Sequence, residues 1–232
     1  NSLKNLQTDY VDIYQLHWPD RPLNIFSGLE YEHTETTDIV PILETMEAMA
    51  TLIKDGKIKY YGLSNETTWG TSQYIKLAEK HNIPKPITIQ NAYSLINRSY
   101  EVGLSEISIR EKIGLLAYSP LGGGCLSGKY LGGKKPAGTR EVLWGSRYDR
   151  YRTPNTEPAV KAYQEVANKH GVDLVQMAIQ FCVIQKFVTS TIIGATSMEQ
   201  LKKNIDSIDL VLTNEIIKDI NNVQLIYSNP CP

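Results

Sequence analysis

No stretch of this sequence stays apolar for the roughly 20 residues that a membrane-crossing helix needs. The amino terminus, NSLKNLQTDY, has no apolar core of the kind a secretory signal carries. An initiator Met is missing too, which points to a processed or truncated chain. Neither sign of charge is in excess. With 24 Lys and Arg against 25 Asp and Glu, the net charge is −1, so no strong field draws the chain to nucleic acid or to an anionic membrane. Cysteine is scarce: Cys125, Cys182 and Cys231 are an odd number at wide spacing. They make no CxxC pair, and His17, His33, His81 and His170 are equally scattered, so no metal site is expected. A reducing, cytoplasmic setting suits that usage. Cys182, inside the apolar run from Ala178 to Ile184, reads as core. With no internal repeat, low-complexity tract or linker, residues 1–232 read as a single domain.

What the chain does have is a succession of short apolar runs alternating with helical patterns. The organising stretch is Asp9 to Asp20, DYVDIYQLHWPD. Val11, Ile13, Tyr14 and Leu16 predict a buried strand. Pro19 cannot donate to a ladder and ends it, which leaves His17 at the carboxyl end. Further strands are predicted at Lys59 to Leu63, Ile87 to Gln90, Gly114 to Tyr118 and Val188 to Ile193. Helices are predicted over Ile42 to Lys54, Val102 to Glu111 and Ala159 to His170, and from Thr213 toward Tyr227; Tyr74 to His81 continues a helix that ends near Pro84. Asp173 to Lys186 is a helix that is apolar nearly all round and so should be buried. Ser197 and Gln200 have the spacing of a capping box. A long polar segment, Arg21 to Asp38, follows the first strand. Strand, loop and helix in repetition mean a parallel sheet of βαβ units, an α/β fold.

Each predicted strand ends in a small or polar group: His17, Ser64-Asn65, Gln90-Asn91, Tyr118-Ser119 and Gly194 to Thr196. Ligands of parallel sheets and barrels bind at the carboxyl ends of strands. Amides and hydroxyls converging there predict one site rich in hydrogen-bonding groups; the plainer alternative is polar residues meeting solvent, with His17 capping its strand. Two details suggest a phosphate-bearing ligand. Gly122 to Gly124 lets backbone N–H groups approach an anion, and the helix start at Ser197 offers free N–H groups at a positive dipole end. Lys129, Arg140 and Arg147 add charge. A merely flexible loop is the other reading of the glycines. The two common phosphate fingerprints are absent. Ser127 stands where the third glycine of G-x-G-x-x-G belongs, and Gly128-Lys129 lacks the spacing and the Ser or Thr of a P-loop.

Five ordered stretches, DYVDIYQLHWPD, GKIKYYGLSNE, ITIQNAYSLINRS, LLAYSPLGGGCLSGKY and STIIGATSMEQLKKNI, together resemble the aldo-keto reductases, most closely the Tas-like branch. The resemblance implies a (β/α)8 barrel of the TIM type, NADP(H) bound without a Rossmann domain, and reduction of aldehydes or ketones to alcohols. It implies that His17 is the active-site histidine that orients the substrate carbonyl. Ser64, Asn65 and Gln90 match the residues that hold the nicotinamide carboxamide, and Tyr118 the aromatic that stacks on the nicotinamide. Ser119, Pro120, Leu121, Gly122, Gly123 and Gly124 match the loop folding over the pyrophosphate, with Lys129 and Arg140 as phosphate contacts. Gly194, Thr196, Gln200 and Asn204 match the adenosine-phosphate segment. Lys203 stands where related members often carry Glu, and Gly194 and Gln200 stand where the aldose-reductase branch carries Lys and Arg.

The family's histidine belongs to its fourth strand, and its catalytic Asp, Tyr and Lys come earlier. Those three have no counterpart here, so the five predicted strands correspond to strands four to eight: an incomplete barrel, about five strands of eight. His17 can polarise a carbonyl but cannot replace a Tyr whose pKa a Lys lowers, so this chain alone is expected to be inactive, with exposed strand edges and apolar residues. The alternative is a cofactor-binding or sensing protein without turnover, like the potassium-channel β-subunits, although those commonly carry Asn in place of His17. An unrelated sugar-isomerase barrel is a weaker reading, since no strand end but that of Asp20 carries a carboxylate. Trp18 and Trp144 read equally as pocket lining or as packing. The carbonyl substrate and the oligomeric state are not legible.

Overall fold

The structure, a computed structural model, describes residues 1–24 and 28–232. Residues 25–27, inside the predicted segment from Arg21 to Asp38, lie outside the described residues. Five strands, β1 (Val11–Leu16), β2 (Ile58–Ser64), β3 (Thr88–Ala92), β4 (Gly114–Tyr118) and β5 (Val188–Thr191), form one parallel sheet in chain order. The α-helices among the described residues are α1 (Ser2–Leu6), α2 (Ile42–Lys54), α3 (Thr68–His81), α4 (Leu104–Glu111), α5 (Arg140–Leu143), α6 (Thr156–Lys169), α7 (Leu174–Val183), α8 (Met198–Asp206) and α9 (Asn214–Ile226). This is the expected α/β arrangement, consistent with five strands of a (β/α)8 barrel. The chain separates into two compact units. Of the described residues, one comprises 1–24, 30–91 and 103–115; the other comprises 28–29, 92–102 and 116–232.

In the first unit, β1 pairs with β2 through Gln15 opposite Gly62 and Leu16 opposite Leu63; β2 pairs with β3 through Leu63 opposite Ile89 and Ser64 opposite Gln90. The core joins Ile58, Tyr61 and Leu63 of β2 to Ile89 and Leu115, and to Met46 and Met49 of α2 and Tyr74 and Ala78 of α3. Helix α2 stops where Gly56 takes φ 69°, and Lys57 N–H returns to the Leu52 carbonyl at 3.0 Å. Strand β1 is a correction to the sequence reading: none of its six residues is buried. It is hydrogen-bonded along one side only among the described residues, so its apolar residues lack a second neighbour. Helix α3 begins six residues before Tyr74. Thr67 caps it, accepting from Gly70 N–H at 3.2 Å, a start masked in the sequence by the poor helix formers Thr68, Thr71 and Gly70. Helix α4 begins two residues after the expected Val102, behind a 3-10 turn over Ser99–Glu101.

In the second unit, Tyr93 N–H donates to the Tyr118 carbonyl at 3.2 Å and Ile192 N–H to the Ala117 carbonyl at 2.8 Å. Its core is rich in tyrosine: Tyr93, Tyr100, Tyr148 and Tyr163 lie with Leu95, Ile96, Leu126, Met177 and Phe181. Their hydroxyls find partners as burial requires. Tyr163 donates to the Leu95 carbonyl at 2.8 Å, and Tyr93 to Glu101 Oε1 at 2.6 Å. Helix α7 is buried over most of its length, as its pattern demands, and Asp173 caps it by accepting from Val175 and Gln176 N–H. It ends at Val183, three residues before Lys186, and β5 ends at Thr191, two before Ile193. Cys182 is fully buried, and burial pushes its thiol well above the usual range.

Candidate functional site

In the first unit, strand register brings three of the expected residues into one row. Ser64 lies opposite Gln90, and His17 follows Leu16, the residue of β1 that lies opposite Leu63. Asn65 ties the row together. It sits in the left-handed region at φ 54°, which asparagine tolerates better than most residues. Its N–H donates to the Gln90 carbonyl at 3.0 Å. Its side-chain Nδ2 reaches Ser64 Oγ at 3.2 Å and the His17 carbonyl at 2.9 Å. Ser64 Oγ in turn donates to the Gln90 carbonyl at 2.8 Å. His17 is therefore held by its main chain, while its imidazole is exposed and stacks on Trp18, centroids 4.4 Å apart and planes 10° apart.

A second polar row lies one register step below. Gln15 Nε2 crosses Gly62 to Thr88 Oγ1 at 3.0 Å. Only glycine permits the crossing, since a Cβ at residue 62 would fall 2.3 Å from Thr88 Oγ1. Beside the first row, Glu66 is nearly buried and paired with Arg21, and Asn91 brackets Glu66 with two main-chain hydrogen bonds. Sequence reading missed Gln15, Arg21 and Glu66. Gln15 was hidden inside an apolar strand, and Arg21 and Glu66 are 45 residues apart, beyond any local pattern.

In the second unit, Tyr118 is half-buried, and burial pushes its hydroxyl up from the usual tyrosine range while the Arg150 guanidinium pulls it partly back. Ser119 follows at φ 55°. The next turn spends backbone donors on itself: Gly122 N–H goes to the Ser119 carbonyl at 2.8 Å and Gly124 N–H to the Leu121 carbonyl at 2.9 Å. Gly122, Gly123 and Gly124 all have positive φ, and the first two are buried. A Cβ at Gly122 would fall 2.4 Å from Ile96 Cδ1, and one at Gly123 would fall 2.7 Å from the Tyr151 ring. The glycines are thus fixed by packing as well as by conformation; Pro120 is buried beside them and Leu121 half-buried. Lys129 is exposed, its Nζ 5.1 Å from the Tyr130 ring.

The expected residues after β5 cluster with one another. Asn204 is buried, and its Nδ2 donates to the Gly194 carbonyl at 3.3 Å. The Arg140 guanidinium, stacked on Trp144 at 4.9 Å, would lie 3.6 Å from a Cβ at Gly194. Gln200 N–H donates to Ser197 Oγ at 3.2 Å, which is half of a capping box. The other half is shifted by one residue: Gln200 Oε1 accepts from Thr196 N–H at 3.0 Å, not from Ser197. Lys203 pairs with Asp173 at 3.0 Å. A cation, hydroxyls and a helix start in one place fit a phosphate, as the amides of the first unit fit a carboxamide.

A family model described as the aldo/keto reductase family matches residues 1–224. The chain belongs to the aldo/keto reductase family. Protein tas of Escherichia coli K12 is 51% identical over 232 residues, covering 100% of this chain and 67% of that protein. An aldo-keto reductase of Babesia bovis is 35% identical over 243 residues, covering 99% of this chain and 85% of that one. The L-glyceraldehyde 3-phosphate reductase of Escherichia coli O157:H7 is 31% identical over 227 residues, covering 95% of this chain and 60% of that enzyme. Aldo/keto reductases are oxidoreductases that act on small carbonyl compounds with a nicotinamide cofactor. Among the described residues, no helix is long and apolar enough to cross a membrane.

Proposed function

We propose that this aldo/keto reductase chain binds NADP(H) and serves the reduction of a small aldehyde or ketone to its alcohol. The observation that carries the reading is the row His17, Ser64 and Gln90, laced by Asn65 at the carboxyl ends of three adjacent strands. When bound, the nicotinamide supplies hydride. Ser64, Asn65 and Gln90 would hold its carboxamide, and Tyr118 would give it an aromatic face. The turn from Ser119 to Gly124 would lie along the pyrophosphate. Lys129 and Arg140 would balance its charge, and Gly194, Thr196, Gln200 and Asn204 would hold the adenosine end.

In this reading His17 offers an imidazole N–H to the carbonyl oxygen, where negative charge grows as the bond is reduced. The proton for the alcohol comes from a second donor. A titration of the chain with NADPH, followed by fluorescence and paired with a carbonyl-dependent NADPH oxidation assay, tests the reading. Saturable binding with carbonyl-dependent oxidation of NADPH supports it. Binding without turnover turns the reading toward a cofactor sensor, and no binding refutes it.

A further inference from the structure

We propose that Arg21 and Glu66 are positioning residues for His17. The inference rests on the reductase reading above, in which the His17 imidazole has to meet a carbonyl oxygen. Two consecutive residues leaving β2 fasten two points of the turn that leaves β1. Asn65 Nδ2 holds the His17 carbonyl at 2.9 Å. Glu66 holds the Arg21 guanidinium with both carboxylate oxygens: Nη1 to Oε2 is 3.1 Å, and Nη2 meets Oε1. The five residues from His17 to Arg21 are thus closed between two anchors, with Pro19 stiffening the middle.

The second anchor is itself immobilised. Glu66 N–H donates to Asn91 Oδ1 at 3.1 Å, and Asn91 Nδ2 donates back to the Glu66 carbonyl at 2.9 Å. Thr67 N–H donates to Glu66 Oε1 at 2.6 Å, and Thr67 Oγ1 accepts from Arg21 at 3.1 Å. The pair is sheltered, with side chains 16% and 3% exposed for Arg21 and Glu66. Helix α3 makes room for it: a Cβ at Gly70 would fall 2.1 Å from Glu66 Oε1 and 2.5 Å from Arg21 Nη2. The Trp69 ring faces the guanidinium at 5.2 Å.

A buried ion pair is weak evidence for stability, because a well-packed apolar pair often holds a fold equally well. What an apolar pair lacks is direction. The guanidinium fork meets a carboxylate in one plane and at one distance. Fixing Arg21 in that way fixes the path of the chain back to His17, and with it the place of the imidazole, which stacks on Trp18.

The test is the ring C–H spectrum of the four histidines in the full 232-residue chain, with the His17 signal identified by its loss in His17→Gln. The double variant Arg21→Met with Glu66→Leu replaces the ion pair by apolar volume. Its unfolding midpoint is expected to stay near that of the parent. Its His17 signal is expected to be displaced or split while those of His33, His81 and His170 hold still. Arg21→Lys, which keeps the charge and loses the fork, is expected to displace the same signal, and it decides the matter alone if the double variant does not fold. A His17 signal unmoved in a folded variant overturns the proposal. Failure of the parent chain to bind NADPH would sink the reductase reading and leave this readout intact.

Discussion

The side chain of Asn65 holds the main-chain carbonyl of His17 at 2.9 Å, across the boundary between two neighbouring strands. Asn65 does so from a left-handed backbone, φ 54°. Asn65→Ala loses the hydrogen bond and strains the backbone, and is expected to destabilise the chain by about 2 kcal/mol. Asn65→Gly relieves the strain and loses only the bond, so its cost should be about half as large. Urea denaturation of the two variants reads the difference directly; an equal cost for both would show that the left-handed backbone contributes nothing.

The glycine run after Tyr118 makes a second prediction. At Gly123 a Cβ would press on the Tyr151 ring at 2.7 Å and the Tyr148 ring at 3.0 Å, with φ at +64°. Gly123→Ala should therefore cost about 2–4 kcal/mol, strain and overpacking together. Gly132 has a similar φ of +72° but nothing within 4 Å. Gly132→Ala should cost about 1 kcal/mol, the backbone share alone. Thermal unfolding of the two variants separates packing from conformation.

Alkaline pH should loosen the fold through groups that are buried neutral. Burial, helped by the nearby Glu66 charge, pushes Tyr74 up to about 12. Burial likewise pushes Cys125 up to about 11 and Cys231 to about 12. Each has a folded pKa above its unfolded value, so the unfolded chain releases its proton first. The stability each contributes is complete below about pH 9 for the thiols and about pH 10 for Tyr74, and is lost as pH rises toward the folded values, by about 1.4 kcal/mol for each unit of separation. Urea midpoints measured across that range should fall, and Tyr74→Phe should flatten part of the slope.

The three thiols should also be silent. Cys125, Cys182 and Cys231 are all free and buried, and a thiol held neutral is a poor nucleophile. Ellman's reagent should modify none of them in the native chain at pH 8 and all of them in urea. Rapid native labelling of any one would contradict the packing described for it.

Much of the fold could be read from the sequence because its signals are local. The Tyr60-Tyr61 pair before Gly62-Leu63 in β2, the Asp55-Gly56 stop of α2 and the apolar surround of α7 each announce their element within a dozen residues. Burial of β1 was misjudged because its composition is that of a central strand, while its place at the edge of the sheet depends on which strands pair. The start of α3 was missed because Thr67 and Gly70 look like loop residues until the cap between them is seen. Of the candidate site, the strand-end residues His17, Ser64 and Gln90 were legible, since each closes a strand pattern. Gln15, Arg21 and Glu66 were not, because their roles are made by register and by pairing between distant segments. The glycines from Gly122 to Gly124 were legible as a turn, but their packing against Ile96 and Tyr151 was not.

In the proposed reading the strand-end residues take part in binding NADP(H). Amide spectra of the chain recorded during an NADPH titration test it most directly. The account expects saturable shifts at Ser64, Asn65 and Gln90 together with Tyr118, Gly122 to Gly124 and Thr196, all with one dissociation constant. Shifts confined to other surfaces, or none at saturating NADPH, would contradict it.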